Sequence, residues 1–370
     1  MTTRLNSSKF VSEVQNLVNW TVPTADNSSI DTGLVAWNKM KIMLDESTTA
    51  GQVFTNGIVS TYSLLTGGGY IGGVLNANGE LHYVPYNATR GQKMDSNGTI
   101  STYSLIFTAG TYFGGVLAPN GDIHFVPASA SVGQKIDSNG VVSTYSLVYT
   151  TSFAYYGGVL DTNGEIHFVP QNARVGQKVS INGVVSTYSL VYTAGSAYYG
   201  GVLAPNGDVH FVPFAANRGQ KIDRSGVVST YSLVYNSSYA GGVLAANGDI
   251  HFVPYSTNRG QKINTSGTVS TYSLIYTTAG AYFGGVLSPN GDIYFIPLLG
   301  NRGQKIDSNG VVSTYSLIYT STSAAYYGGI LNTKGELHFI HYSAPVGQKI
   351  SLLSGFNFKN IVLSPFFNKN

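Results

Sequence analysis

From about residue 51 onward, apolar and polar positions alternate in short runs, and the same arrangement returns again and again. One unit, Ala281 to Thr320, reads AYYGGVLSPNGDIYFIPLLGNRGQKIDSNGVVSTYSLIYT. It holds four brief apolar stretches rich in β-branched and aromatic residues, a pattern that predicts strands rather than helices. Gly-Gly-Val-Leu and Asp-Ile-Tyr-Phe-Ile are separated by Pro-Asn-Gly, and Gly-Gln-Lys-Ile and Val-Val-Ser-Thr-Tyr-Ser-Leu by Ser-Asn-Gly. Asn-Gly supplies the positive φ that tight hairpin turns require. Each unit is therefore two hairpins, whose four strands are called A, B, C and D in chain order.

Gly-Gln recurs at Gly51, Gly91, Gly133, Gly176, Gly219, Gly260, Gly303 and Gly347, and Ser-Thr-Tyr-Ser-Leu recurs seven times from Ser60 to Ser313. A period of about 42 residues with four strands is the size of a propeller blade. A single such sheet cannot bury both faces, whereas a ring of them can. The expected fold is all-β, a propeller of seven four-stranded blades. C and D strands near Gly51–Leu64 would complete a sheet with A and B strands near Tyr326–Ile340. The alternative is eight blades: residues 33–51 align without gaps to 115–133, so 33–65 could form a degenerate blade closed by Phe356–Leu363. Against that, Leu34–Leu44 reads equally as a helix started by Asp31 or Thr32. Phe10, Val11, Val14, Leu17 and Val18 stand at helical spacing, so a short helix is expected over Ser8–Trp20. The organisation is then residues 1–50, an extension that is partly helical and serves as anchor or degenerate repeat; 51–350, the propeller; and 351–370, an apolar tail that closes a blade or docks.

The order GGVLAPNGDIHFVP, variable loop, GQKIDSNGVVSTYSL resembles blades of NHL-repeat and gluconolactonase-type propellers. The near identity of the copies is similar to that of repetitive proteins of phages and large viruses. The gluconolactonase likeness implies a metal held by carboxylate and amide side chains on the axis. Strand A here reads Gly-Gly-Val-Leu-Ala without a carboxylate, so no catalytic residue carries across.

The chain has 370 residues, no cysteine, a net charge of +3 and only 10% charged residues. Zero Cys removes disulfides, thiolate metal sites and thiol nucleophiles. So small a charge bias gives no ground for nucleic-acid binding. The start, MTTRLNSSKF, has no signal-peptide pattern, and no run of 18 apolar residues exists, so no membrane insertion is expected. Sequons such as Asn87-Ala88-Thr89 are incidental on this reading.

The ionisable groups are themselves repeated. Glu80, Asp122, Glu165, Asp208, Asp249, Asp292 and Glu336 follow the A–B turn; Asp95, Asp137, Asp223 and Asp307 begin the C–D turn. Among acids within the units, Asp161 is left over. Lys93 and its six equivalents share one position in strand C. Catalysis needs different groups aimed at one point, so the inventory predicts no enzyme, no cofactor and no metal. His82, His124, His167, His210, His251 and His338 also recur, with Tyr294 in the seventh place and His341 solitary. They read as structural imidazoles between blades, since copies 42 residues apart lie in different blades and need not share a metal. Asp-Ser-Asn-Gly lacks the alternating ligands of a calcium loop and reads as a plain turn.

Strand alternation places the A–B and C–D turns on one face and the variable D–A and B–C loops on the other. Binding groups favour loops on a rigid scaffold, so the second face is the expected binding surface. Its aromatic candidates are Tyr155, Tyr156, Tyr198, Tyr199, Tyr326 and Tyr327; its polar candidates are Arg90, Arg218, Arg259 and Arg302. The same tyrosines could instead wedge between blades. The resulting expectation is a non-enzymatic, adhesive structural propeller of a virion or other extracellular surface. It would bind other structural proteins of an assembly through its N-terminal segment and its Phe-rich tail, with a surface glycan as further partner. The alternatives are a free multivalent lectin and, least favoured, a metal-dependent lactonase.

Overall fold

The computed structural model describes residues 57–352 apart from Ser237 and Thr322. The regions 1–56 and 353–370, including the helix expected over Ser8–Trp20, the 33–51 segment and Phe356–Leu363, lie outside the described residues. Twenty-eight strands, β1 to β28 in chain order, form seven four-stranded antiparallel sheets. In the first blade β2 (Tyr70–Leu75), β3 (Leu81–Pro85), β4 (Arg90–Met94) and β5 (Ile100–Ser104) pair in sequence order. Five further blades repeat this. The last sheet joins β26 (Tyr326–Leu331), β27 (Glu336–His341) and β28 (Val346–Ser351) to β1 (Ile58–Ser63).

The fold is the expected seven-bladed propeller, but the seam differs from the expectation. The C strand of the closing blade is β28, not the Gly51 copy, so the chain ends supply one strand and three rather than two and two. Tyr62 packs over Gly347 in that seam as Tyr103 packs over Gly91 within one blade. Joining distant parts of the chain in one sheet removes free ends from the ring.

The turns also differ in detail. In the A–B turn the Gly79 N–H donates to the Asn76 carbonyl at 3.0 Å and the Asn76 N–H to the Glu80 carbonyl at 2.9 Å. Only the glycine is left-handed, at φ 76°. The loop is thus a three-residue hairpin connection with Gly in the bulge position, and the preceding Asn keeps an ordinary backbone.

The first strands line the axis. The first Gly of each Gly-Gly pair has a positive φ, and a Cβ on Gly72 would lie 3.1 Å from the Cα of Gly114 in the next blade. The same contact passes from Gly114 to Gly157, Gly200, Gly241, Gly284, Gly328 and back to Gly72. Seven backbones meet where any side chain would hold them apart. Further out, Tyr70, Tyr112, Tyr155, Tyr198, Tyr239, Tyr282 and Tyr326 are buried between blades. Each donates its hydroxyl to a backbone carbonyl at the start of strand C, as Tyr198 does to Arg218 at 3.2 Å. The buried Gln of each Gly-Gln accepts from the crossover arriving from the preceding blade; Gln220 Oε1 takes the Val191 and Tyr192 N–H at 3.0 and 2.8 Å.

Candidate functional site

The two faces carry different chemistry because strand ends alternate around each hairpin. Every acid among the described residues stands at an A–B or C–D turn. The opposite mouth is aromatic. Its cluster takes one residue from each first strand, just before Gly-Gly, and most of the residues that follow strand B. Phe113 stacks on Tyr156 and Tyr199 on Phe214, both with centroids 3.8 Å apart. Phe283 contacts Tyr327 at 4.8 Å and Phe113 at 5.6 Å. Gln171 interrupts the aromatic series, donating to Tyr199 Oη at 3.4 Å, while its buried Oε1 lacks a hydrogen bond.

This arrangement splits each tyrosine pair. Tyr155, Tyr198 and Tyr326 are fully buried between blades, while Tyr156, Tyr199 and Tyr327 are half-buried in the mouth. Burial raises the Tyr156 and Tyr199 hydroxyls and pushes Tyr327 up to about 12, so all three are proton donors at neutral pH. Arg90, Arg218, Arg259 and Arg302 are exposed at or next to the start of strand C, two strands out from the axis. They are not brought into the aromatic cluster.

On the turn face, each blade pairs its repeated acid with its repeated lysine, from Lys93 Nζ to Glu80 Oε1 at 2.7 Å through Lys262 Nζ to Asp249 Oδ2 at 2.7 Å. The histidine two residues beyond the acid is buried, and in five blades its Nδ1 faces the tyrosine of strand D, as His124 faces Tyr145 at 3.2 Å. Burial lowers His82, His124, His210 and His251 to about 4, so these rings are neutral. The ring that each of these histidines meets on strand D belongs to its own blade, as Tyr145 does for His124 and Tyr188 for His167.

Blade three departs from this pattern. It comprises β10 (Tyr155–Leu160), β11 (Ile166–Pro170), β12 (Val175–Val179) and β13 (Val185–Ser189). Its A–B turn begins with Asp161, where other blades have Asn76, Ala118, Ala204, Ala245, Ser288 and Asn332. Asp161 Oδ2 lies 3.3 Å from His167 Nε2, Glu165 Oε2 lies 4.0 Å from the same nitrogen, and Lys178 Nζ meets Glu165 Oε2 at 2.6 Å. One ligand atom from each of Asp161, Glu165 and His167 falls within 4.8 Å of the others, a set able to hold a metal ion. Burial raises the Asp161 carboxyl, but hydrogen bonds from His167 and from the backbone N–H of Glu165 and Asn163 outweigh it and hold its pKa below the usual value. Asp161 is the odd acid of the sequence, and its position in the repeat was the signal for this site. Repetition thus leaves one cluster of three such groups, in a single blade, among the described residues.

A family model described as the virginiamycin B lyase family matches residues 16–272, over two thirds of the chain. No curated protein matches it in sequence. Among solved structures, a streptogramin B lyase superposes with a TM-score of 0.72 at 20% identity, over 82% of this chain and 100% of that one. A catalytically inactive His-to-Ala variant of virginiamycin B lyase from Staphylococcus aureus, solved with quinupristin, gives 0.71 at 20% identity, over 80% and 99%. Kuenenia stuttgartiensis hydrazine synthase gives 0.62 at 13% identity, over 82% and 98%. At these identities the structural likeness shows the propeller fold alone. The family match overturns the expectation of a non-enzymatic structural, adhesive or host-attachment protein of a virion.

Proposed function

The chain belongs to the virginiamycin B lyase family, and from that premise we propose that it is a lyase acting on a streptogramin B-type compound, with its reacting centre at the Asp161–Glu165–His167 cluster. A lyase breaks a bond by elimination: a base removes a proton while positive charge takes up the anion that develops. The cluster supplies both kinds of group, proton acceptors in the carboxylates and imidazole and a cation in Lys178. The aromatic mouth has neither acid nor charged imidazole among the described residues, which directs the chemistry to the turn face. The observation that carries the reading is the convergence of Asp, Glu and His in one blade of seven. The loss of activity on removing a histidine from the S. aureus relative accords with it.

The test is incubation with quinupristin, followed by mass spectrometry, which separates an elimination product from a hydrolysed one carrying an added water. Asp161→Ala should lower kcat/KM by about 100-fold, the usual scale for a positioned acid–base group. Blades with Ala118, Ala204 and Ala245 show that alanine fits this turn. Unchanged turnover in Asp161→Ala would remove the assignment.

A further inference from the structure

The low net charge of the chain conceals a separation of charge between the two faces of the ring. Among the described residues the turn face carries twelve acids against nine bases: the seven lysines of strand C, Arg224 and Lys334. The mouth face carries no acid and five arginines, Arg90, Arg174, Arg218, Arg259 and Arg302, all exposed. None of the five is ion-paired with a described residue. One side of the molecule is therefore uniformly positive.

Apolar side chains stand beside this charge. One branched residue per blade, from Leu65 and Ile106 through Val148 and Val191 to Ile318, follows strand D on the mouth side and is 58–63% exposed. The buried glutamines fix where they sit. Gln220 accepts the Val191 and Tyr192 N–H, which clamps Val191 to the neighbouring blade two residues from Arg218. Gln261 and Gln304 hold Val234 and Ile275 near Arg259 and Arg302 in the same way. The Arg218 guanidinium lies 5.9 Å from the centre of the Tyr192 ring. Equivalent positions in a closed ring of like blades share one height, so the aliphatic residues form a level crown with arginines among them. Val141, Val184 and Val227 are similarly exposed on the turn side, so charge rather than apolar exposure distinguishes the two faces.

A soluble polyanion would answer the arginines but offers nothing to the aliphatic crown. A second copy, docked by its acidic turn face, would cover the Asp161–Glu165–His167 cluster. A bilayer surface supplies both phosphate groups and an apolar boundary. We propose that the mouth face docks on a membrane containing anionic phospholipid, with the arginines at the phosphates and the aliphatic crown in the headgroup region. The ring lies on the membrane without crossing it, and the turn face with its Asp161 cluster points to solvent. Docking stands apart from the lyase reading and holds whichever way that test falls.

The probe is the full chain sedimented with phosphatidylcholine vesicles, with or without phosphatidylglycerol. Wild type should sediment with the anionic vesicles only, and salt should weaken binding, because the Debye length falls from about 10 Å at 0.1 M to about 3 Å at 1 M. Arg90→Gln, Arg218→Gln, Arg259→Gln and Arg302→Gln combined should weaken it by about 100-fold or more. Val132 and Val346 occupy this position in other blades, so a neutral residue fits. Val148→Ser, Val191→Ser and Val234→Ser combined should weaken binding by about 10-fold. The same change at Val141, Val184 and Val227 should leave it as in wild type, with circular dichroism confirming that each variant is folded. No sedimentation of wild type with anionic vesicles, undiminished binding in the arginine variant, or equal losses from the two valine sets would each overturn the proposal. Competition by heparin with no effect of either valine set would overturn it in favour of a soluble polyanion. Salt-sensitive self-association without vesicles, abolished in the arginine variant, would overturn it in favour of a second copy.

Discussion

Lowering the pH from 7.5 to 5.5 should destabilise the propeller far more than its modest charge suggests. His82, His124, His210, His251 and His341 are each at most 7% exposed, and burial lowers each from 6.5 to about 4. Their native forms are neutral, whereas the unfolded chain protonates them below about 6.5. The unfolded state therefore binds more protons between these limits, and stability must fall as pH falls. The contribution is complete above about 6.5 and is progressively lost down to about 4. At pH 5.5 the linkage amounts to roughly 1–1.5 kcal/mol per histidine, about 5–7 kcal/mol for five, a large part of the 5–15 kcal/mol typical of a domain. His338 shifts in the same direction. Glu80, Asp161 and Glu336, whose pKa values lie below the usual range, add their losses only at still lower pH. Urea unfolding followed by circular dichroism at pH 7.5, 6.5 and 5.5 measures the effect. A midpoint that does not move between 7.5 and 5.5 would refute the reasoning. Tyr294 already occupies the histidine position in blade six, so His251→Tyr should fold and reduce the proton uptake on unfolding by about one.

Other perturbations test the packing. Gly157→Ala places a Cβ at φ 85°, 3.3 Å from Gly200 Cα, and should cost about 1–3 kcal/mol in urea unfolding. In Gly219→Ala the new Cβ would stand 2.0 Å from the Tyr231 ring; an overpacking loss of about 1–3 kcal/mol is expected, recovered in part by Tyr231→Leu. Gln220→Ala removes the acceptor of the Val191 and Tyr192 N–H, and hydrogen exchange should show those two amides opening before the rest of blade three. Deleting residues 1–66 removes β1 and uncovers the edge of β28; light scattering should report association at concentrations where the full chain is monodisperse.

The sequence was most informative where local rules repeat. Asn-Gly turns, alternating apolar runs and a 42-residue period specify four strands per unit, and copying sevenfold leaves little freedom in how the units stack. The seam is not legible in the sequence because Gly51 and Gly347 both open a Gly-Gln segment of the repeat, and only three-dimensional pairing decides which copy completes the sheet. The tyrosine pairs were legible as a motif but not as two environments. A strand alternates its sides, so Tyr198 faces the inter-blade core and Tyr199 the mouth, a distinction that depends on which strand is innermost. Asp161 was visible as the acid outside the repeat, yet its neighbours were not, because Glu165 and His167 look like every other copy until the turn brings them to one point. The enzymatic family was hidden by the same repetition: an inventory of residue types records the symmetry of the copies and not the family to which the repeat belongs.

The joining of β1 to β28 also sets a schedule for biogenesis. Ser63 leaves the ribosome about 280 residues before Val346, and synthesis runs at about 5–20 residues per second. For roughly 15–60 s the opening strand has no partner, while six complete sheets are already stacking behind it. The nascent chain must therefore pass through an unsealed arc with hydrogen-bonding groups uncovered at its leading end, and chaperone demand should concentrate in that interval.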